Sequence, residues 1–133
     1  TSCPSSKNNK QLNRKERMEI LLSQHGKQCI WCNTPINIST ATTDHIIPKI
    51  KGGPSWIENE LASCYKCNKA RGHIPALDYL EIMKENGFFV NQDAIFKKLQ
   101  ELDIAIEERG GQRKARPHLY RQLRRLERGS FYS

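Results

Sequence analysis

Residues 29–72 read CIWCNTPINISTATTDHIIPKIKGGPSWIENELASCYKCNKARG. Two Cys-x-x-Cys pairs, Cys29/Cys32 and Cys64/Cys67, bracket Asp44-His45, Gly52-Gly53 and Asn59, and the second pair runs straight into Asn68. Each Cys-x-x-Cys turn brings two sulfurs to one metal, and two turns complete a closed tetrahedral shell. The alternative, two disulfides, is weaker, because a bridge within Cys-x-x-Cys is a redox-active arrangement and not a usual staple. The pattern therefore predicts one structural zinc on Cys29, Cys32, Cys64 and Cys67. Such a metal closes a long loop, and the Asp-His lies inside that loop. A structural metal thus holds a second, more polar site in shape.

That polar site has its own chemistry. Ser39 to Ile47 is rich in β-branched residues and reads as a strand ending near Pro48. Adjacent strand residues face opposite sides, so Asp44 and His45 serve one site only if the strand ends or distorts there. A carboxylate is a hard ligand suited to Mg²⁺ or Mn²⁺, and a neutral imidazole can take a proton from water. The two together suit phosphodiester hydrolysis. A zinc ribbon that only binds nucleic acid would explain the Cys pairs but not this segment.

The stretch from Cys29 to Gly72 resembles an HNH endonuclease, the ββα-metal nuclease family in its four-cysteine zinc form. The resemblance rests on Asp44-His45-Ile46-Ile47-Pro48, Gly52-Gly53, Asn59, Cys64-Tyr65-Lys66-Cys67-Asn68 and Arg71-Gly72, without gaps. It implies an α+β fold: two antiparallel strands and a helix (the His-Me finger core), stapled by the four-cysteine zinc site and flanked by α-helices. It implies that His45 is the general base and that Asp44 and Asn68 bind the catalytic ion. It also implies that Asn59 braces the loop and orients His45. Asn at position 68, where many members carry His, favours Mg²⁺ or Mn²⁺ over Zn²⁺ or Ni²⁺. Arg71 stands where many members have Lys and is expected at a phosphate, as is Lys69. Glu60 replaces the Leu that often follows the Asn. The expected products are a 5′-phosphate and a 3′-hydroxyl, from nicking by one module or double-strand cleavage by two.

Outside this stretch the chain is basic and modest in apolar content. Of 133 residues, 37% are hydrophobic and the formal charge is +8, which points to a polyanion partner. That partner is DNA first, with RNA left open; no apolar run suggests a membrane. Cysteines used for metal imply a reducing compartment, hence a cytoplasmic or nucleoid-associated protein. The chain starts at Thr1, not Met, and stays open to being a piece of something longer. Residues 1–12 read as a disordered basic tail holding Cys3, Lys7 and Lys10. Residues 13–73 read as the nuclease module with a preceding helix from Asn13 to Gly26, with Lys49 to Glu58 a Gly/Pro loop and a short helix from Asn68. Residues 74–133 read as a helical basic extension, with helices over Pro75–Asn86, Asn91–Arg109 and Pro117–Arg128.

The extension concentrates cations: Arg113, Lys114, Arg116, Arg121, Arg124 and Arg125 are candidate phosphate contacts. A charge run is usually a solvated face, but beside a nuclease motif the balance shifts to nucleic acid. Ile95, Leu99, Leu102 and Ile106 form an apolar stripe that serves the core, a homodimer contact or a larger partner protein. Three functions fit: a metal-dependent DNA endonuclease, in phage defence, restriction or a mobile element; a non-catalytic zinc nucleic-acid-binding module; or a nuclease effector subunit activated by a partner.

Overall fold

The computed structural model describes residues 12–128. The expected basic tail lies outside the described residues, apart from Leu12. Helix α1, Arg14–Gln24, starts where Asn13 and Glu16 cap one another: Asn13 Oδ1 accepts from the Glu16 backbone N–H and Glu16 Oε1 accepts from that of Asn13, both at 2.9 Å. This reciprocal cap satisfies two of the donors a helix start leaves open.

Strands β1, Ala41–His45, and β2, Glu60–Cys64, pair antiparallel with Ala41 opposite Cys64 and His45 opposite Glu60. The observed β1 is shorter than the Ser39–Ile47 expected, for a reason at each end. Asn37 Oδ1 accepts from the N–H groups of Ser39 and Thr40, which holds them in a turn. At the other end Asn59 Oδ1 takes the Ile47 N–H. The expected loop between the strands contains two 3-10 turns, Lys49–Lys51 and Ile57–Asn59.

Helix α2, Tyr65–Arg71, opens three residues before Asn68, because Cys64 Sγ accepts from the Cys67 N–H at 3.4 Å and caps the helix. It stops at Gly72. Helices α3 (Ala76–Glu85), α4 (Gln92–Arg109) and α5 (Arg116–Glu127) follow, within a residue or so of expectation.

The two strands bury both faces. Ala62 packs with Met18, Leu21, Leu22 and Ile36 against α1. Its neighbour Leu61 faces the larger core, with Trp31, Leu77, Leu80 and Leu119. The stripe Ile95, Leu99, Leu102 and Ile106 is fully buried in that same core. Each such side chain contributes roughly 1.5–3 kcal/mol of burial, so α4 is structural and not a free apolar face. The fold is thus α+β, with a two-stranded sheet and α2 at its centre and helices around them.

Candidate active site

The four cysteines meet at the junction of the knuckle and the ββα unit. A tight turn closes the knuckle through Cys29 N–H to Thr34 O and Asn33 N–H to Cys29 O, and Ile30 N–H to Ala62 O docks it on β2. All four Sγ atoms lie within 4.8 Å of one another, and Cys32 and Cys64 are 3.8 Å apart. Tetrahedral thiolates at about 2.3 Å from one ion stand about 3.8 Å from each other. The donor set and its spacing fit a closed thiolate metal site. Burial pushes the Cys29 thiol up to about 11. Burial also raises Cys32, but Thr34 beside it, with Cys67 and Cys29, draws it down to about 7. A metal would thus displace protons on binding.

Beside this cluster a cleft of about 310 Å³ is lined by Asp44, His45, Lys49, Asn68, Lys69 and His73, among others. Asp44 and His45 share it although they are neighbours in β1, because His45 is the last residue of the strand. Asn68 Nδ2 donates to Thr42 Oγ1 at 3.0 Å and Thr43 O at 3.1 Å. With its nitrogen so held, Oδ1 is the atom Asn68 can offer a cation. Asp44 is buried at 3% exposure; Oδ1 accepts from Arg71 at 2.8 Å and Oδ2 from Trp31 Nε1 at 2.7 Å. Burial raises its carboxyl, against the pull of Arg71 and Trp31. Each carboxylate oxygen retains a second lone pair. One carboxylate, one amide oxygen and open space beside them suit an oxygen-preferring divalent cation.

Arg71 departs from the sequence expectation of a phosphate contact. It is 1% exposed, and its donors are spent inside: Nε on Ile74 O, Nη1 on Asp44 and His45 O, Nη2 on Ile46 O, with the guanidinium over the Trp31 ring at 5.5 Å. It ties α2 to the end of β1. Nothing in the sequence separates this arginine from the cations around it, because its partners are the Asp44 carboxylate and backbone carbonyls of the end of β1, the residue after it and the segment after α2.

Asn59, fully buried, clamps the same turn: it accepts from Ile47 N–H and donates to Ile47 O and Pro54 O. Gly53 lies against that clamp, where a β-carbon would stand 1.7 Å from Ile47 O. Asn59 meets His45 only through the backbone of the turn that follows it. The side chain that faces His45 is Glu60, whose Oε2 lies 3.8 Å from His45 Nε2. Burial lowers the His45 imidazole to about 4, helped by Lys49, Arg71, Arg14 and Arg17, so it is neutral near physiological pH.

An HNH endonuclease family matches residues 29–75. The HNH match includes every cysteine of the cluster and every cleft residue named above. A CRISPR-associated endonuclease Cas9 from Corynebacterium diphtheriae is 39% identical over 49 residues, 36% of this chain and 4% of that protein. The crystal structure of the Type II-C Cas9 enzyme from Actinomyces naeslundii superposes with a TM-score of 0.50 at 23% identity, over 65% of this chain and 10% of that one. The chain therefore spans a small part of much longer relatives, and the second likeness speaks to fold alone.

The expected phosphate contacts divide in two. Arg116 donates to Gly111 O and Tyr120 Oη and pairs with Glu107; Arg125 is paired with Asp78 and Glu81. Arg113, Lys114, Arg121 and Arg124 are exposed, as is Lys69, which sits over the Tyr65 ring at 5.8 Å. Lys114 packs against Gly52 of the cleft-side turn, and Arg121 shares a small hollow with Lys51 and His118. Lys51 in turn donates to His73 O at the cleft. Among the described residues no helix is long and apolar enough to cross a membrane.

Proposed function

We propose that this HNH module is a metal-dependent endonuclease that hydrolyses phosphodiester bonds in DNA, leaving 5′-phosphate and 3′-hydroxyl ends. The observation that carries it is the convergence of Asp44, His45 and Asn68 on one cleft beside a four-thiol cluster. Zinc on the four cysteines is the structural ion of this reading. Asp44 and Asn68 would hold Mg²⁺ or Mn²⁺, whose chemistry when bound is to stabilise charge on the phosphate under attack and on the departing oxygen.

The side chains do the rest. His45, kept neutral by burial, accepts the proton of the attacking water. Asn59 fixes the turn that carries His45, and Arg71 holds that turn to α2. Arg71 acts as a positioning residue here. The exposed cations Lys49 and Lys69 flank the cleft, and Lys51, Lys114 and Arg121 continue the positive surface along α5, a course suited to the sugar-phosphate backbone. The name of the Corynebacterium relative, a CRISPR-associated endonuclease, favours a defence setting in the cytoplasm or at the nucleoid. Its far greater length favours a module that works within or beside a larger protein over a homodimer.

The test is cleavage of supercoiled plasmid with Mg²⁺, Mn²⁺ or EDTA, wild type beside His45→Ala. Nicking that needs metal and is lost in the variant is the expected result. Activity that survives His45→Ala would remove the base from this scheme, and binding without cleavage by the wild type would leave a binding module.

A further inference from the structure

Glu60, the residue after Asn59, is buried, at 2% exposure, directly across the ladder from His45. Arg17 of α1 donates Nε to Glu60 Oε1 at 2.8 Å, and the opposite oxygen, Oε2, is the one facing His45 Nε2 at 3.8 Å. His45 Nε2 is itself buried and has no hydrogen-bond partner among the described residues. A buried N–H without an acceptor is costly, and here an acceptor stands one small movement away. Catalytic hydrogen bonds are often long before substrate arrives and tighten in the complex.

One further cation bears on this carboxylate. Lys98 of α4 is buried with Nζ on Ile57 O, one turn before Glu60, and Glu60 is among the charges that support it. The carboxylate is therefore held in place from α1, with Lys98 nearby, and has one oxygen left for the imidazole.

We propose that Glu60, anchored by Arg17, is a positioning residue for His45: Oε2 accepts the Nε2 hydrogen and leaves Nδ1 as the proton acceptor for the attacking water. The proposal rests on His45 as the base of the reaction above. Arg17–Glu60–His45 then forms a relay of orientation from α1 to the cleft. No proton leaves the histidine for the glutamate. The proton from water goes to Nδ1, and the imidazolium that results gains the carboxylate as a counter-ion.

The test uses the full chain loaded with zinc and reads two quantities. Ring-nitrogen NMR shifts of His45 near neutral pH report the tautomer without any need for activity. The wild type is expected as the Nε2–H form, and Glu60→Leu is expected to lose that preference, while Glu60→Gln, whose one amide oxygen stays on Arg17 and whose NH2 then faces the ring, is expected to reverse it to Nδ1–H. Plasmid cleavage with Mg²⁺ should show kcat falling by at least about 10-fold in Glu60→Leu with KM unchanged, and no recovery in Glu60→Gln. If Glu60→Leu does not fold because Arg17 is left unpaired, Arg17→Met with Glu60→Leu removes the pair together and gives the same readouts. An Nδ1–H tautomer in the wild type, or a kcat in the folded variants equal to that of the wild type, overturns the proposal. A wild type that binds plasmid but never cuts it would overturn the nuclease reading, with the tautomer still deciding whether Glu60 orients His45.

Discussion

The two faces of the β1–β2 ladder are finished to different degrees. On the α2 face, Asp44 has a donor on each oxygen, and Arg71 has an acceptor for every nitrogen. On the α1 face, His45 Nε2 is buried and unpartnered among the described residues, and the carboxylate opposite stands at 3.8 Å. A saturated buried network fixes geometry, because no rearrangement improves it. An unsaturated buried group stores free energy that a later contact can release. The contrast separates two roles: rigidity lies on the Arg71 side, and adjustment lies at His45.

Arg71 is the point at which to break the comparison. Arg71→Met removes four donated hydrogen bonds and leaves the Asp44 carboxylate buried beside Trp31 alone, so unfolding in denaturant should show a loss of about 3–5 kcal/mol. His45→Ala on the α1 face should change stability by less than about 1 kcal/mol, since it deletes an unpartnered group. Equal effects from the two substitutions would abolish the distinction.

Acid sharpens it next. Burial holds both His45 and His25 at about 4, with Lys98 adding to the effect at His25, against an ordinary value of 6.5. Between those values the unfolded chain takes up protons that the folded chain refuses, so stability is present above pH 6.5 and is lost as pH falls towards 4. Melting temperature should drop across that window. His25→Gln should flatten the drop, and a melting temperature independent of pH there would show that the histidines are not held neutral by the fold.

The smallest effect belongs to the surface, where the same contrast recurs around one helix. Arg116 and Arg125 are engaged, whereas Lys114 and Arg121 are exposed. Lys114→Ala with Arg121→Ala should weaken DNA binding and reduce the slope of log affinity against log salt by about 2, roughly one per phosphate contact. Arg125→Ala should leave that slope alone and lower stability slightly. A slope moved by Arg125→Ala and not by the pair would reverse the assignment.

Much of this architecture was legible from residue types. The span from Asn13 to Gly26 placed α1, the Cys pairs placed the thiolate cluster, and the 3.6-residue stripe placed α4, with the core as one of three readings of its apolar face. The limits of β1 were less legible, because side chains of Asn37 and Asn59, not strand propensity, decide where the ladder stops. Arg71 and Glu60 were illegible for one shared reason. Their roles depend on what stands across a turn or a ladder, and cross-chain register is not written at either position. An arginine in Asn-Lys-Ala-Arg reads as surface until the segment after β1 and the end of α2 supply three carbonyls, and a glutamate next to Asn59 reads as a mild departure until His45 is its partner.

Gly52 carries a consequence for portability. A β-carbon there would lie 2.7 Å from Lys114 Cβ, so the entry to α5 rests on the turn that follows His45. The larger core likewise runs unbroken from Trp31 to Leu119. The segment that carries the family's motifs is therefore shorter than the segment that would have to travel with it into another protein. A transplant cut at residue 75 would take the cleft and leave behind the wall it leans on.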